Sequence, residues 1–256
     1  MTYTIDDTAW FLPLSADSER RVFGFPHAGA GCAQLVPLAR ELAGHGLALW
    51  SANLPGRQAR LAERPRTDLA ELAGELADAL ADLLDGRPYG LFGYCGGALA
   101  AFEVTRILAD RQLPLPRWLF IASFEAPDIA RRPYRLPTMP SSALWSHLAE
   151  EGGVSGEVAT DERLRRLAEP AVRGDFTWLG HYRYQPGPAL PVRIVVLHGR
   201  HDTTTPRGAL LGWRRHSTFP VQLRPFDAGH WLLEDTCPGV AQAIAEGFPA
   251  DERSSR

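Results

Sequence analysis

The sequence predicts an α/β fold: a mostly parallel central sheet flanked by helices on both faces. Three observations predict it. Short apolar runs alternate with segments of helical period, in the order βαβαβαβ, as far as Ala122, a rhythm that requires crossover helices between parallel strands. Gly93-Tyr94-Cys95-Gly96-Gly97 joins an apolar run to an alanine-rich segment, the pattern of strand, sharp turn and helix. After a strand-free excursion at about 127–190 the alternation resumes and continues towards the end of the chain. The 256 residues fit a single domain, 1–256, carrying that excursion as an inserted helical lid.

Taken in order, residues 1–19 read as a polar lead-in with an apolar patch at Trp10-Phe11-Leu12. The first strand is Arg21 to Phe25, ended by Pro26, and a helical pattern follows from about Ala33 to Ala43. Leu47 to Trp50 form the second strand, before the turn Asn53-Leu54-Pro55-Gly56-Arg57. Leu69, Leu72, Leu76, Leu80 and Leu83 recur at helical spacing with acids between them. The strand Tyr89 to Phe92 leads into the 93–97 turn and a helix to about Asp110, and Trp118 to Ala122 is a further buried strand. The excursion holds helical patterns near Ser142–Glu151 and Asp161–Tyr184. Strand Val192–Leu197, a short helix Arg207–Arg214, strand Val221–Arg224 and helix Val240–Glu246 complete the chain.

Composition narrows the function. A net charge of −3 argues against a nucleic-acid partner. All 27 basic residues are Arg, which with the abundant Ala, Gly and Pro reflects coding bias rather than chemistry. Cys32, Cys95 and Cys237 are too few and too scattered for a disulfide framework, and no close cysteine pair suggests zinc. No run reaches membrane-spanning length and no leader pattern opens the chain, so a cytoplasmic, non-membrane protein is expected.

The pentapeptide is the thiol form of the G-x-S-x-G nucleophile elbow, which raises one side chain above a sheet at a helix N-terminus. There the helix dipole favours a thiolate. Such a nucleophile needs a base and a group to orient the base, supplied in α/β-hydrolases in the order nucleophile, acid, histidine. Loops after late strands provide Asp202 and His230. Cys95 is therefore the expected nucleophile, His230 the general base and acid, and Asp202 the orienting carboxylate. Asp227 lies too near His230 along the chain to be preferred. His198, His201 and Asp202 do not share a helix face, so they make a poor metal cluster. Backbone N–H groups of Ala28 and Gly96 are the expected oxyanion hole, and His27 is expected to shape its loop. Leu144, Trp145, Leu148, Phe176, Trp178 and Leu179 either line an acyl tunnel or pack at ordinary helical spacing.

The chain resembles the type II, stand-alone thioesterases of polyketide and nonribosomal peptide synthases. The likeness rests on Phe25-Pro26-His27-Ala28-Gly29, Leu54-Pro55-Gly56-Arg57, the elbow, Ser123, Pro127, Asp175-Phe176, Gly199 to Asp202 and Gly229-His230. It implies an α/β-hydrolase fold with a helical lid, a monomer without cofactor or metal, and a substrate delivered as a phosphopantetheine thioester by an acyl or peptidyl carrier protein. One departure matters. The family usually has Ser followed by a bulky residue, where this chain has Cys95 and Gly96. A Cys nucleophile exchanges one thioester for another and keeps the acyl group activated. Hydrolysis and transfer or cyclisation onto an amine, hydroxyl or carbon nucleophile both remain open on that chemistry. A dienelactone-hydrolase-like lactonase is the competing enzyme class, opposed by the Leu54–Arg57 turn and the long lid, and a catalytically dead carrier-binding scaffold is the non-enzymatic one.

Overall fold

A computed structural model describes residues 8–130, 133–154 and 156–248. Seven strands form one sheet in the order β1-β3-β2-β4-β5-β6-β7. They are β1 (Phe11–Pro13), β2 (Arg21–Phe25), β3 (Ala48–Ala52), β4 (Tyr89–Tyr94), β5 (Trp118–Ala122), β6 (Arg193–Gly199) and β7 (Gln222–Phe226). Only β1 is antiparallel, pairing Phe11 with Ala52 on β3. The other neighbours are parallel, with Gly93 of β4 opposite Phe25 on one side and Ile121 on the other.

Every residue of β4 is buried, because helices cover both faces of the sheet. Strand alternation divides the apolar residues between two cores. Leu91, Leu119, Ile121, Ile194 and Val196 face α2 (Leu69–Leu83) and α3 (Gly96–Asp110). Phe92, Phe120, Val195 and Leu197 face α1 (Val36–Gly44) and α8 (Leu232–Glu246). Full burial of each such side chain contributes roughly 1.5–3 kcal/mol, so the centre of the sheet is the rigid part of the molecule. Asp68 caps α2 by accepting from the Glu71 N–H at 2.9 Å, a bond typically worth about 1 kcal/mol.

Between β5 and β6 the described residues contain no strand. They form α4 (Ser141–Glu150), α5 (Gly156–Thr160) and α6 (Glu162–His181), with a 3-10 turn at Leu136–Thr138. Leu144, Trp145, Leu148 and Val172 make a small core of their own inside this segment. The short α7 (Arg207–Leu211) continues as a 3-10 turn to Arg215 before β7.

Three elements differ from the sequence expectation, one of them α5, which forms between the two helical patterns of the excursion. The polar lead-in contains β1, a three-residue edge strand ending at Pro13. The last helix begins at Leu232 rather than Val240, because it is kinked at Thr236 (φ −150°, ψ 42°) just before Pro238. The periodicity of the sequence registers only the part beyond the kink.

Candidate active site

Cys95 sits between β4 and α3 with φ +50° and ψ −125°, a conformation costly for any residue with a Cβ. The surroundings enforce it. A Cβ on Gly93 would lie 2.3 Å from Ala98 Cα, and one on Gly97 would lie 2.3 Å from the Phe25 carbonyl oxygen. Both positions therefore require glycine because backbone passes against backbone. The Cys95 N–H donates to the Ala122 carbonyl at 2.8 Å, tying the elbow to the end of β5. The thiol is half-buried, whereas Cys32 is fully buried.

His230 and Asp202 come from the loops after β7 and β6. His230 Nδ1 is 2.9 Å from Asp202 Oδ2, and the Asp202 side chain is only 1% exposed. The other carboxylate oxygen accepts from Thr204 N–H (2.8 Å), Thr204 Oγ1 (2.7 Å) and Thr205 N–H (3.0 Å). Thr204 Oγ1 is also 2.8 Å from His230 Nδ1. Asp202 is thus locked by a turn of its own making before it meets the imidazole. Although burial works against it, hydrogen bonding to His230 and to Thr204 holds the Asp202 carboxyl well below its ordinary range. Burial alone would push His230 down. Its bond to Asp202, followed by the Cys95 thiol acting as hydrogen-bond and charge partner, raises it instead to about 10. Asp227 points elsewhere and pairs with the exposed His201 at 2.8 Å.

Ala28 and Gly96 are neighbours: a Cβ on Gly96 would stand 3.6 Å from that of Ala28. The same position would lie 3.0 Å from Leu179 Cδ1 on α6. Space that a bulky residue would take beside the elbow is filled here by Leu179. His27 Nδ1 donates to the Ala28 carbonyl at 3.0 Å, and the His27 ring packs edge-on against Tyr94 and Trp231. Burial holds this imidazole below its ordinary value, so it is neutral at pH 7. Its observed contacts hold the loop.

Several residues without an assigned role in the sequence reading join the site. Ser123 Oγ donates to the His230 carbonyl at 2.7 Å and fixes the histidine from below. Trp231 packs edge-on against His230, with ring centroids 4.9 Å apart, and donates from Nε1 to the Glu151 carbonyl at 2.6 Å. A cavity of about 590 Å³ lies between this indole, the His27–Ala28 loop and the helical segment, where Trp145, Leu148 and Val172 supply apolar walls. Of the six apolar residues singled out above, Trp145 and Leu148 face this cavity, Leu144 packs within the segment, Trp178 and Leu179 pack on the sheet core, and Phe176 lies against both cores. The sequence signals for these roles are the threonine run after Asp202, the aromatic after His230 and Ser123 as a position of the family resemblance.

A thiol on a strained strand-to-helix turn, with a histidine and carboxylate from later strand ends, defines an α/β-hydrolase built for acyl chemistry. Comparison with known proteins narrows this. Residues 20–247 match the thioesterase domain family. The chain is 33% identical over 253 residues to a "Probable cadicidin biosynthesis thioesterase" of Streptomyces griseus, covering 97% of this chain and 69% of that one. It is 30% identical over 246 residues to "Thioesterase PikA5" of Streptomyces venezuelae, covering 94% and 86%. The solved type II thioesterase BorB from the borrelidin biosynthetic cluster superposes with a TM-score of 0.87 at 30% identity, over 94% of this chain and 98% of that one. The chain belongs to the type II thioesterase family, the stand-alone thioesterases of polyketide and nonribosomal peptide pathways. Among the described residues no helix is long and apolar enough to cross a membrane.

Proposed function

We propose that this thioesterase takes acyl groups from the phosphopantetheine arm of an acyl or peptidyl carrier protein through a thioester on Cys95. One observation carries the reading: a reachable thiol at a strained elbow, partnered by an imidazole that Asp202 orients. The segment at about 127–190 acts as a lid over the cavity beside the oxyanion loop.

In the first step Cys95 gives its thiol proton to His230 and attacks the thioester carbonyl, and the developing oxyanion is received by the N–H groups of Ala28 and Gly96. Such a donor contributes about 3 kcal/mol to the transition state. The tetrahedral adduct collapses by breaking the bond to the pantetheine sulfur, which leaves with a proton from His230. Acylation then withdraws Cys95 from the groups that raise His230. More of the imidazole becomes neutral and free to take a proton from the second nucleophile. The same residue is therefore acid in the first half and base in the second.

The acyl-Cys bond remains an activated thioester, which favours transfer to an amine, hydroxyl or carbanion alongside hydrolysis. Intact-protein mass spectrometry tests the scheme. Incubation with an acyl-pantetheine thioester should add the acyl mass to wild type and not to Cys95→Ala. An adduct that persists in the variant rules out the assignment, and analysis of the small-molecule product separates acid from transferred acyl group.

A further inference from the structure

Asp175, in the middle of α6, forms an ion pair with Arg57 that is almost wholly shielded from water. Arg57 Nη1 is 2.6 Å from Asp175 Oδ2 and Nη2 is 2.8 Å from Oδ1, with side-chain exposures of 7% and 3%. Each partner also grips the loop that carries Ala28. Asp175 Oδ2 accepts from the Gly29 N–H at 2.7 Å, and Arg57 Nη1 donates to the Ala30 carbonyl at 2.9 Å. Trp178 Nε1 completes the carboxylate's shell at 3.3 Å.

The consequence for the loop is specific. The peptide joining Ala28 to Gly29 is held at both ends, its carbonyl by His27 Nδ1 and its N–H by Asp175. The turn is closed by the Ala30 N–H donating to the His27 carbonyl at 3.0 Å, with Gly29 at φ +80°. A Cβ on Gly29 would lie 2.7 Å from Val172 Cγ2, so α6 rests directly on this turn. These anchors fix the Ala28 Cα, from which the Ala28 N–H projects, so release of the turn from α6 would let the whole loop draw that N–H away from the elbow.

We infer that Asp175 and Arg57 are positioning residues for the oxyanion hole, and that α6 is a fixed strut of the site. In this arrangement a displacement of α6 switches the hole off. The inference rests on the acyl-Cys95 reading above and adds to it which chain segments make the hole competent.

The test compares two reactions of the same thiol. Acylation by an acyl-pantetheine thioester needs an oxyanion hole, whereas alkylation by iodoacetamide passes through no oxyanion. Asp175→Asn should lower the rate of Cys95 acylation by roughly 10²-fold. It should leave the KM for the thioester within about threefold and the alkylation rate unchanged, because nucleophile and base are untouched. Arg57→Lys, which keeps the charge but loses the forked contact, gives the same split if the first variant folds poorly. Parallel loss of alkylation would mean a collapsed site and overturn the positioning role, as would unimpaired acylation in a folded variant. Absence of any Cys95 adduct in wild type would instead overturn the acyl-Cys reading itself.

Discussion

Replacing Asp202 by Asn probes the site at its most constrained atom. The Oδ1 position accepts three bonds, from the N–H groups of Thr204 and Thr205 and the Thr204 hydroxyl. An Asn side chain therefore keeps its carbonyl oxygen there and turns its NH2 towards His230. With a donor at 2.9 Å, Nδ1 must become an acceptor, which moves the ring proton to Nε2 and points it at the position from which the base should act. In hydrolytic triads that exchange of tautomer costs roughly 10⁴ in kcat, about 5.5 kcal/mol at 1.36 kcal/mol per tenfold. A thiol depends less on its base for attack than a hydroxyl does, so acylation should fall by about 10² and deacylation by about 10⁴. Rapid mixing with an acyl-pantetheine thioester separates the two, and the acyl-enzyme should accumulate. Imidazole NMR supplies a second readout: His230 should titrate well below the wild-type value of about 10, because its main raising partner is gone. Equal slowing of both steps, or an unshifted His230 in a folded variant, would refute the reasoning.

Removing the thiol in Cys95→Ala should lower the His230 pKa more modestly, since the Asp202 bond remains, and the same NMR titration checks it. Thr204→Val deletes the hydroxyl shared by Asp202 and His230 while keeping the turn's backbone bond, so kcat should drop about tenfold for a loss of about 1–1.5 kcal/mol. Gly93→Ala places a methyl 2.3 Å from Ala98 Cα, where neither side can yield, and calorimetry should register a loss of 3 kcal/mol or more. Stability should also depend on acid in a defined way. Asp202 titrates lower folded than its usual 3.8, so its stabilising contribution is complete above that pH and disappears as the pH falls below it. The difference in unfolding free energy between wild type and Asp202→Asn, measured by urea denaturation, should therefore be at its full size at pH 7 and shrink steadily as the pH falls from 3.8 towards 2. His230 runs the other way, contributing fully below 6.5 and losing its contribution as the pH rises through about 10.

The parts legible in the sequence are those encoded locally. Residues 89–97 announce strand, elbow and helix because close backbone passage admits only glycine at 93 and 97. Cys95 and Asp202 stand out because each follows a strand whose apolar run is continuous, and His230 because it follows the last strand, where Val221 and Leu223 alternate with polar residues. Edge strand β1 carries no such run, being three residues paired on one side only. Residues that act across distance show in the sequence only as motif positions of the family resemblance, with no sign of what each one meets. Asp175 and Arg57 lie 118 positions apart, and Ser123 meets the His230 carbonyl across 107. Only packing brings them together, and nothing in their flanking residues encodes the partner.

Leu179 beside Gly96 has a consequence for how this enzyme can diversify. The sulfur and the apolar shoulder next to it belong to separate stretches of polypeptide, the one on a turn that accepts almost no substitution and the other on a helix surface. A larger or smaller residue at 179 would change the space beside Gly96 while leaving the elbow's backbone intact. The shape beside the elbow and the backbone that holds the thiol are thereby placed in different hands, free to be altered one at a time.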